Sequence, residues 1–347
     1  MSENTEIHYL AADVGGTNTQ ICLVDSTSTV IKQHIYKTQD YPSLSAIAKD
    51  FVKDQQLPIK GCFALAGAVI DGKCNLTNVG WQELNQETLS QELGFEVTLI
   101  NDFVALGYNI AFDKNKLATF TLQTGNYSVS SPIAIIGAGT GLGKCFCIPV
   151  GGKFLVFPSE GGHGDYASRN TDEDNILTSL RPKYQALCQE KFNLSSEQVK
   201  HLSVDEEAIL SGPGIADIFH VLKADFPESL AEKISALPTD QQPEAIAISA
   251  NKKTNALAEK TMEVFIEAYG AICGNFAVNL LPFGGLYIAG GIAAKNLDLI
   301  QGKKDLFLNA FNTKVRVNPE LLKRVPIEIV TDELSGLQGA INYVTKM

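Results

Sequence analysis

The chain is poor in cross-linking residues. Its seven cysteines, Cys22, Cys62, Cys74, Cys145, Cys147, Cys188 and Cys273, are odd in number and scattered, with no Cys-x-x-Cys pair. That spacing suits reduced, mostly buried thiols better than a disulfide framework, as expected in a reducing cytoplasm. Long apolar runs are missing too: no stretch reaches 18 uninterrupted apolar residues, so no membrane span is expected. Met1 to Ile7 is polar and acidic, without the basic and apolar regions of an export signal. Positive charge is scarce, with 28 Lys and Arg against 39 Asp and Glu, a net of −11. Such a surface repels phosphate backbones and anionic lipid, which argues against nucleic-acid and membrane partners. It also repels any anionic cofactor. A phosphate site must therefore be assembled locally from backbone N–H groups, a helix N-terminus or a metal ion.

What is plentiful is apolar side chain, 45% of 347 residues, with 19% charged. This composition fills large interiors, and the length exceeds one ordinary core, so two domains are expected. Tyr9 to Asp25 reads as two strands joined by a tight turn at Asp13-Val14-Gly15-Gly16-Thr17-Asn18. Strand-like stretches at Gly61–Val69 and Glu96–Ile100 alternate with helical periodicity at Ser43–Lys53 and Gln86–Leu93, the pattern of an α/β domain. A second apolar run, Pro132–Ile136, leads into Gly137-Ala138-Gly139-Thr140-Gly141-Leu142-Gly143 and another alternating segment, Lys144–Val150. The opening design thus recurs at an offset of about 123 residues when Gly16-Thr17 is set on Gly139-Thr140. Met262–Leu281 reads as a central helix in which Gly270 and Gly274 admit a close neighbour. It is followed by a short strand, Gly285–Ala289, and a strand-to-helix turn at Gly290-Gly291-Ile292. Leu334–Val344 closes the chain as an amphipathic helix.

The Gly137–Gly143 segment fits neither familiar phosphate motif. A P-loop needs Ser or Thr after Gly-Lys and then a helix, but Gly143-Lys144 is followed by Cys145 and a period of two. A dinucleotide fingerprint also needs a helix there, and Pro149 lies in the way. The glycines belong to hairpins, which bare backbone N–H groups because no Cβ blocks approach. Two such hairpins could clamp one nucleotide. Asp13 at the strand end suits a magnesium ion, held directly or through water, since Mg²⁺ takes one or two carboxylates beside substrate phosphates.

Seven elements taken together resemble one family. They are Asp13–Asn18, Leu76–Trp81, Ile100–Phe103, Gly137–Gly143, Glu160–His163, Leu210–Gly214 and Ile288–Ile292, in the family's order over nearly the whole chain. The chain resembles the sugar kinases of the actin, hexokinase and heat-shock chaperone superfamily, and within it the bacterial ATP-dependent glucokinases. The resemblance implies an α/β fold of two actin-like (ribonuclease H-like) domains around a central cleft that closes on sugar. The first would cover about residues 1–108 and take back the C-terminal helix at about 331–347; the larger would span about 109–330. Three departures are visible. Ala68 stands where many relatives have proline. Only Cys188 lies between His163 and Glu207, so the zinc cluster of the wider repressor group is not expected. About ten residues precede the first strand, too few for a helix-turn-helix.

The resemblance implies ATP-dependent phosphorylation of glucose at the 6-hydroxyl. Asp102 becomes the general base that orients that hydroxyl and accepts its proton. Asn78, Asn101, Glu160, His163 and Glu207 become sugar ligands. Gly15, Gly16, Thr17, Asn18, Gly139, Thr140 and Gly141 face phosphates, and Gly290 and Gly291 lie near adenosine. Read without it, Asn101-Asp102 would cap the helix beginning near Phe103, Glu207 would belong to an acidic helix start, and Trp81 would anchor a core. The expected cofactors are ATP and Mg²⁺, and a homodimer is implied. A kinase for mannose, fructose or an N-acetylhexosamine, or a non-catalytic sugar sensor, remains the alternative, because epimers differ by one hydroxyl.

Overall fold

A computed structural model describes residues 7–55, 58–76, 79–314, 316–331 and 335–347. They group into two compact units, Met1–Ala118 with Cys145–Pro158 and Asp332–Met347, and Thr119–Lys144 with Ser159–Thr331.

The first unit is built on strands β1 (His8–Val14), β2 (Asn18–Asp25), β3 (Val30–Lys37), β4 (Lys60–Leu65) and β8 (Glu96–Asn101). A three-stranded accessory sheet is formed by β5 (Val69–Ile70), β6 (Lys73–Cys74) and β7 (Leu84–Asn85). The main sheet runs β3-β2-β1-β4-β8. Strands β1 and β2 form the antiparallel hairpin read from the sequence, whereas β1, β4 and β8 are parallel. Residues alternate faces along a strand, so β1 divides between two cores. Leu10, Ala12 and Val14 join a cluster with Leu44, Ile47 and Phe51 of the helix Leu44–Val52. Ala11 faces a second cluster with Val104 and Tyr108 of the helix Asp102–Asp113 and Ala340 and Ile341 of the helix Ser335–Lys346. Burial on both faces explains why β1 reads as an almost unbroken apolar run. Trp81 packs at the edge of the first cluster and donates its indole N–H to the Tyr41 carbonyl at 2.8 Å.

The division differs from the sequence expectation in two places. The first unit extends past residue 108 because the helix Asp102–Asp113 is continuous and its buried side chains belong to that core. Residues 145–158 also group with it. The Cys145 thiol donates to the Phe103 carbonyl at 2.9 Å, and Val156 packs on the same apolar cluster.

In the second unit, β9 (Thr119–Gln123), β10 (Ile133–Ala138), β13 (Leu286–Ala289) and β14 (Ile327–Val330) lie in the order β10-β13-β14-β9. Strand β11 (Leu142–Val150) belongs to this unit only through Leu142–Lys144; its remainder, and β12 (Lys153–Ser159) up to Pro158, group with the first unit. The central helix runs from Ala256 to Leu280, starting six residues before the apolar periodicity becomes clear, because Asn255 caps it by accepting the Ala258 N–H. A side chain at Gly270 would collide with the Phe307 carbonyl, so the helix Lys304–Asn312 makes the close approach expected there. All seven cysteines are free thiols. No helix among the described residues is long and apolar enough to cross a membrane.

Candidate active site

Parallel pairing aligns Val14 of β1 with Leu65 of β4, and Leu65 with Asn101 of β8. Asp13 and Asp102, far apart in sequence, therefore arrive together at the carboxyl ends of the first unit's parallel strands. Asn101 caps the helix Asp102–Asp113 by accepting the Phe103 and Val104 N–H groups at 2.9 and 3.4 Å, and donates to the Gly67 carbonyl at 3.1 Å. The capping role thus engages most of its amide. Asp102 opens the helix, with Oδ1 accepting the Phe103 N–H at 2.9 Å. Withdrawal from water, with a smaller contribution from the Asp13 charge, lifts its carboxyl to about 6, against the lowering effect of its hydrogen bonds. Burial likewise lifts Asp13 to about 6. A Cβ at Gly336 would lie 2.6 Å from Asp13 Oδ2, so the first turn of the last helix rests against this carboxylate. Along the sequence, Gly336 carries no signal beyond its place beside a helix start.

The β1–β2 turn is held from behind. Gly15 N–H donates to the Asn18 carbonyl at 2.9 Å, while Thr38 donates its N–H to the Thr17 carbonyl at 2.9 Å and its hydroxyl to the Gly15 carbonyl at 2.8 Å. Gly16 is half-buried, and Thr17 and Asn18 are exposed at the tip. Asn78 lies outside the described residues.

In the second unit the β10–β11 hairpin is closed by a bond from Gly139 N–H to the Gly141 carbonyl at 2.8 Å. Gly139 and Thr140 line a cavity of about 640 Å³ together with Gly212, His220, Gly291 and Lys295. Its size suits a small organic ligand. The helix Gly212–Leu222 starts at this wall, where Gly212 N–H donates to the Gly139 carbonyl at 2.8 Å and ties the hairpin to the helix start. Gly290 has a different role from Gly291. Its φ of +84° and the 2.5 Å separation of an added Cβ from the Ala138 carbonyl oxygen show that it makes the sharp turn from β13 into the helix Gly291–Lys295. Gly141 likewise does not line the cavity: a Cβ there would meet Glu207 Oε2 at 2.6 Å.

Glu160, His163 and Glu207 form a cluster in the same unit. Glu160 precedes the 3₁₀ turn Gly161–His163, and its carboxylate lies 3.9 Å from His163 Nε2. His163 Nδ1 lies 3.0 Å from Asp205 Oδ2, and this hydrogen bond is the main reason its imidazole is pushed above its usual range. The Glu207, Asp205 and Glu160 charges add to the shift. Glu207 Oε2 accepts the Leu142 N–H at 2.8 Å, so one oxygen is engaged by the hairpin. Asp205, two residues before Glu207, caps Glu206–Ile209 with Oδ1 and orients His163 with Oδ2.

The fold has relatives among solved structures. The glucokinase of an Antarctic psychrotroph superposes with a TM-score of 0.75 at 26% identity, covering 98% of this chain and 99% of that one. A ROK family glucokinase from Streptomyces griseus, solved with glucose and AMPPNP, shares the fold at 17% identity with a TM-score of 0.62, covering 98% of this chain and all of that one. The molecule is thus a mixed α/β sugar kinase with the actin-like ATPase fold. The glucokinase family model matches residues 10–347, and the glucokinase of Trichormus variabilis is 40% identical over 352 residues, covering 95% of this chain and 97% of that protein. This chain belongs to the glucokinase family.

Proposed function

We propose how the side chains divide the work of the ATP-dependent phosphorylation of glucose, which gives glucose 6-phosphate and ADP. Asp102 accepts the proton of the 6-hydroxyl as that oxygen attacks the γ-phosphoryl group. The observation that carries this role is its carboxyl at the carboxyl end of β8, lifted by burial to about 6. At neutral pH it is ionised, yet it is a better proton acceptor than a solvated aspartate. Asn101 keeps Asp102 at the helix start and offers its remaining amide hydrogen to the sugar. Glu160, His163 and Glu207 bind sugar hydroxyls, a role supported by the mix of acceptors and an imidazole donor in their cluster. Asn78 is assigned to the sugar by the family alone.

For the nucleotide, Gly16, Thr17 and Asn18 on one turn, and Thr140 and Gly141 on the other, supply backbone donors to phosphate oxygens, while Gly15 and Gly139, whose N–H groups close those turns, shape the approach. Gly291 faces adenosine in the 640 Å³ cavity, with Gly290 shaping its wall. Asp13 would hold Mg²⁺, directly or through water. A buried carboxylate that is unfavourable while unpaired fits a dication, and Mg²⁺ does not need a full protein cage. When bound, the ion supplies positive charge to the β- and γ-phosphates. The seven free thiols support a cytoplasmic setting, and a homodimer rests on the family alone.

The test is a panel of hexoses with Mg-ATP read by ADP release, run beside Asp102→Ala with its fold checked by circular dichroism. Glucose is expected to be the preferred acceptor, and the variant to lose turnover by about 10³-fold. Near-normal turnover in the folded variant would overturn the base assignment, and failure to phosphorylate glucose would overturn the reaction.

A further inference from the structure

Lys144 and Glu206 are both almost fully buried, at 6% and 9% side-chain exposure, and are ion-paired through Glu206 Oε2. Lys144 Nζ also donates to the Gly161 carbonyl at 2.9 Å and lies 5.4 Å from the centroid of the Phe276 ring. Desolvating two charges is costly, and apolar side chains of similar volume would fill such a space at least as well. What an apolar side chain cannot supply is a donor for Gly161.

Gly161 belongs to the turn that carries Glu160 and His163, and its own N–H is held by Ser159 Oγ at 3.0 Å. The turn is tied to the helix Glu206–Ile209 by two further bonds, from Glu206 N–H to the Gly164 carbonyl at 2.8 Å and between His163 and Asp205. That helix carries Glu207, which in turn accepts the Leu142 N–H two residues before Lys144. One side chain therefore bridges the start of β11, the Glu160–His163 turn and the Glu207 helix.

We infer that Lys144, held by Glu206, is a positioning residue that sets the geometry of Glu160, His163 and Glu207 from beneath, and so governs glucose affinity without touching the sugar. The inference rests on the reading of those three residues as sugar ligands. Steady-state kinetics and melting curves for K144M, E206Q, K144M/E206M and, as control, E207Q test it. Unpaired buried charge is expected to lower the melting temperature of K144M. The double variant, without any such charge, is expected to recover most of that loss, yet keep a glucose KM raised about tenfold because Gly161 still lacks its donor. Its KM for ATP is expected to stay within about twofold. E206Q, which retains the lysine donor and an acceptor for it, is expected to keep glucose KM within about threefold.

Wild-type glucose KM in the double variant, or a parallel rise in both KM values, would reduce the pair to packing and overturn the inference. Should the double variant fail to fold, equal glucose KM values for K144M and E206Q would do the same. A raised glucose KM in E207Q alone would leave the sugar reading standing while the Lys144 role falls. No effect of E207Q would remove the sugar reading of Glu207 and the inference with it.

Discussion

Replacing Asp102 with asparagine is expected to cost nearly all turnover while making the protein more stable. The carboxyl is lifted from 3.8 to about 6, chiefly by burial and further by the charge of Asp13. That displacement corresponds to about 3 kcal/mol by which the ionised group opposes folding. Below 3.8 the group is protonated in both states and contributes nothing to the pH dependence; the penalty grows as pH rises through the interval and is complete above about 6. Asparagine keeps an Oδ1 acceptor for the Phe103 N–H, so the substitution removes charge and little else. Urea unfolding near pH 8 should show Asp102→Asn stabilised by about 2–3 kcal/mol, near pH 5 by about half as much, and near pH 4 by very little. In parallel, kcat should fall by about 10³-fold, within the usual range for loss of a general base. A variant with wild-type stability near pH 8, or a gain that does not shrink in acid, would refute the burial argument. Retained turnover would refute the catalytic one.

Two further outcomes follow from the second unit. Gly290→Ala should destabilise by roughly 2–3 kcal/mol, because a side chain at φ +84° would also press on the Ala138 carbonyl; thermal unfolding measures this, and a neutral result would mean that the turn relaxes freely. Asp205→Asn should move the titration of His163, followed by NMR, to lower pH, since the Asp205 hydrogen bond is the largest cause raising it. The linkage has a sign: with its folded value raised, His163 contributes stability that is present at low pH and lost as pH rises through that value, and the variant should weaken this dependence. An unmoved midpoint would transfer the effect to Glu160 and Glu207.

Local chemistry was legible along the chain. The β1–β2 turn, the glycine hairpin after β10 and the strand-to-helix turn at Gly290 announce themselves through alternation and glycine spacing, which act over a few residues. Asn101-Asp102 could be read either as a helix cap or as part of a catalytic site. The structure shows the cap, and the same cap holds Asp102 where burial alters its basicity. The helix Asp102–Asp113 could not be assigned to its unit from periodicity alone, because its partners, Leu337, Ala340 and Ile341, lie more than two hundred residues downstream.

Composition and pattern, then, determined an acidic α/β chain with glycine-rich turns, because net charge and glycine spacing are properties of the sequence itself. Tertiary structure alone decided that Lys144 meets Glu206, that His163 meets Asp205, and that Gly336 rests on Asp13. Such contacts form only when distant segments pack, and the low-dielectric surroundings that shift carboxyl and imidazole equilibria exist only once they have done so.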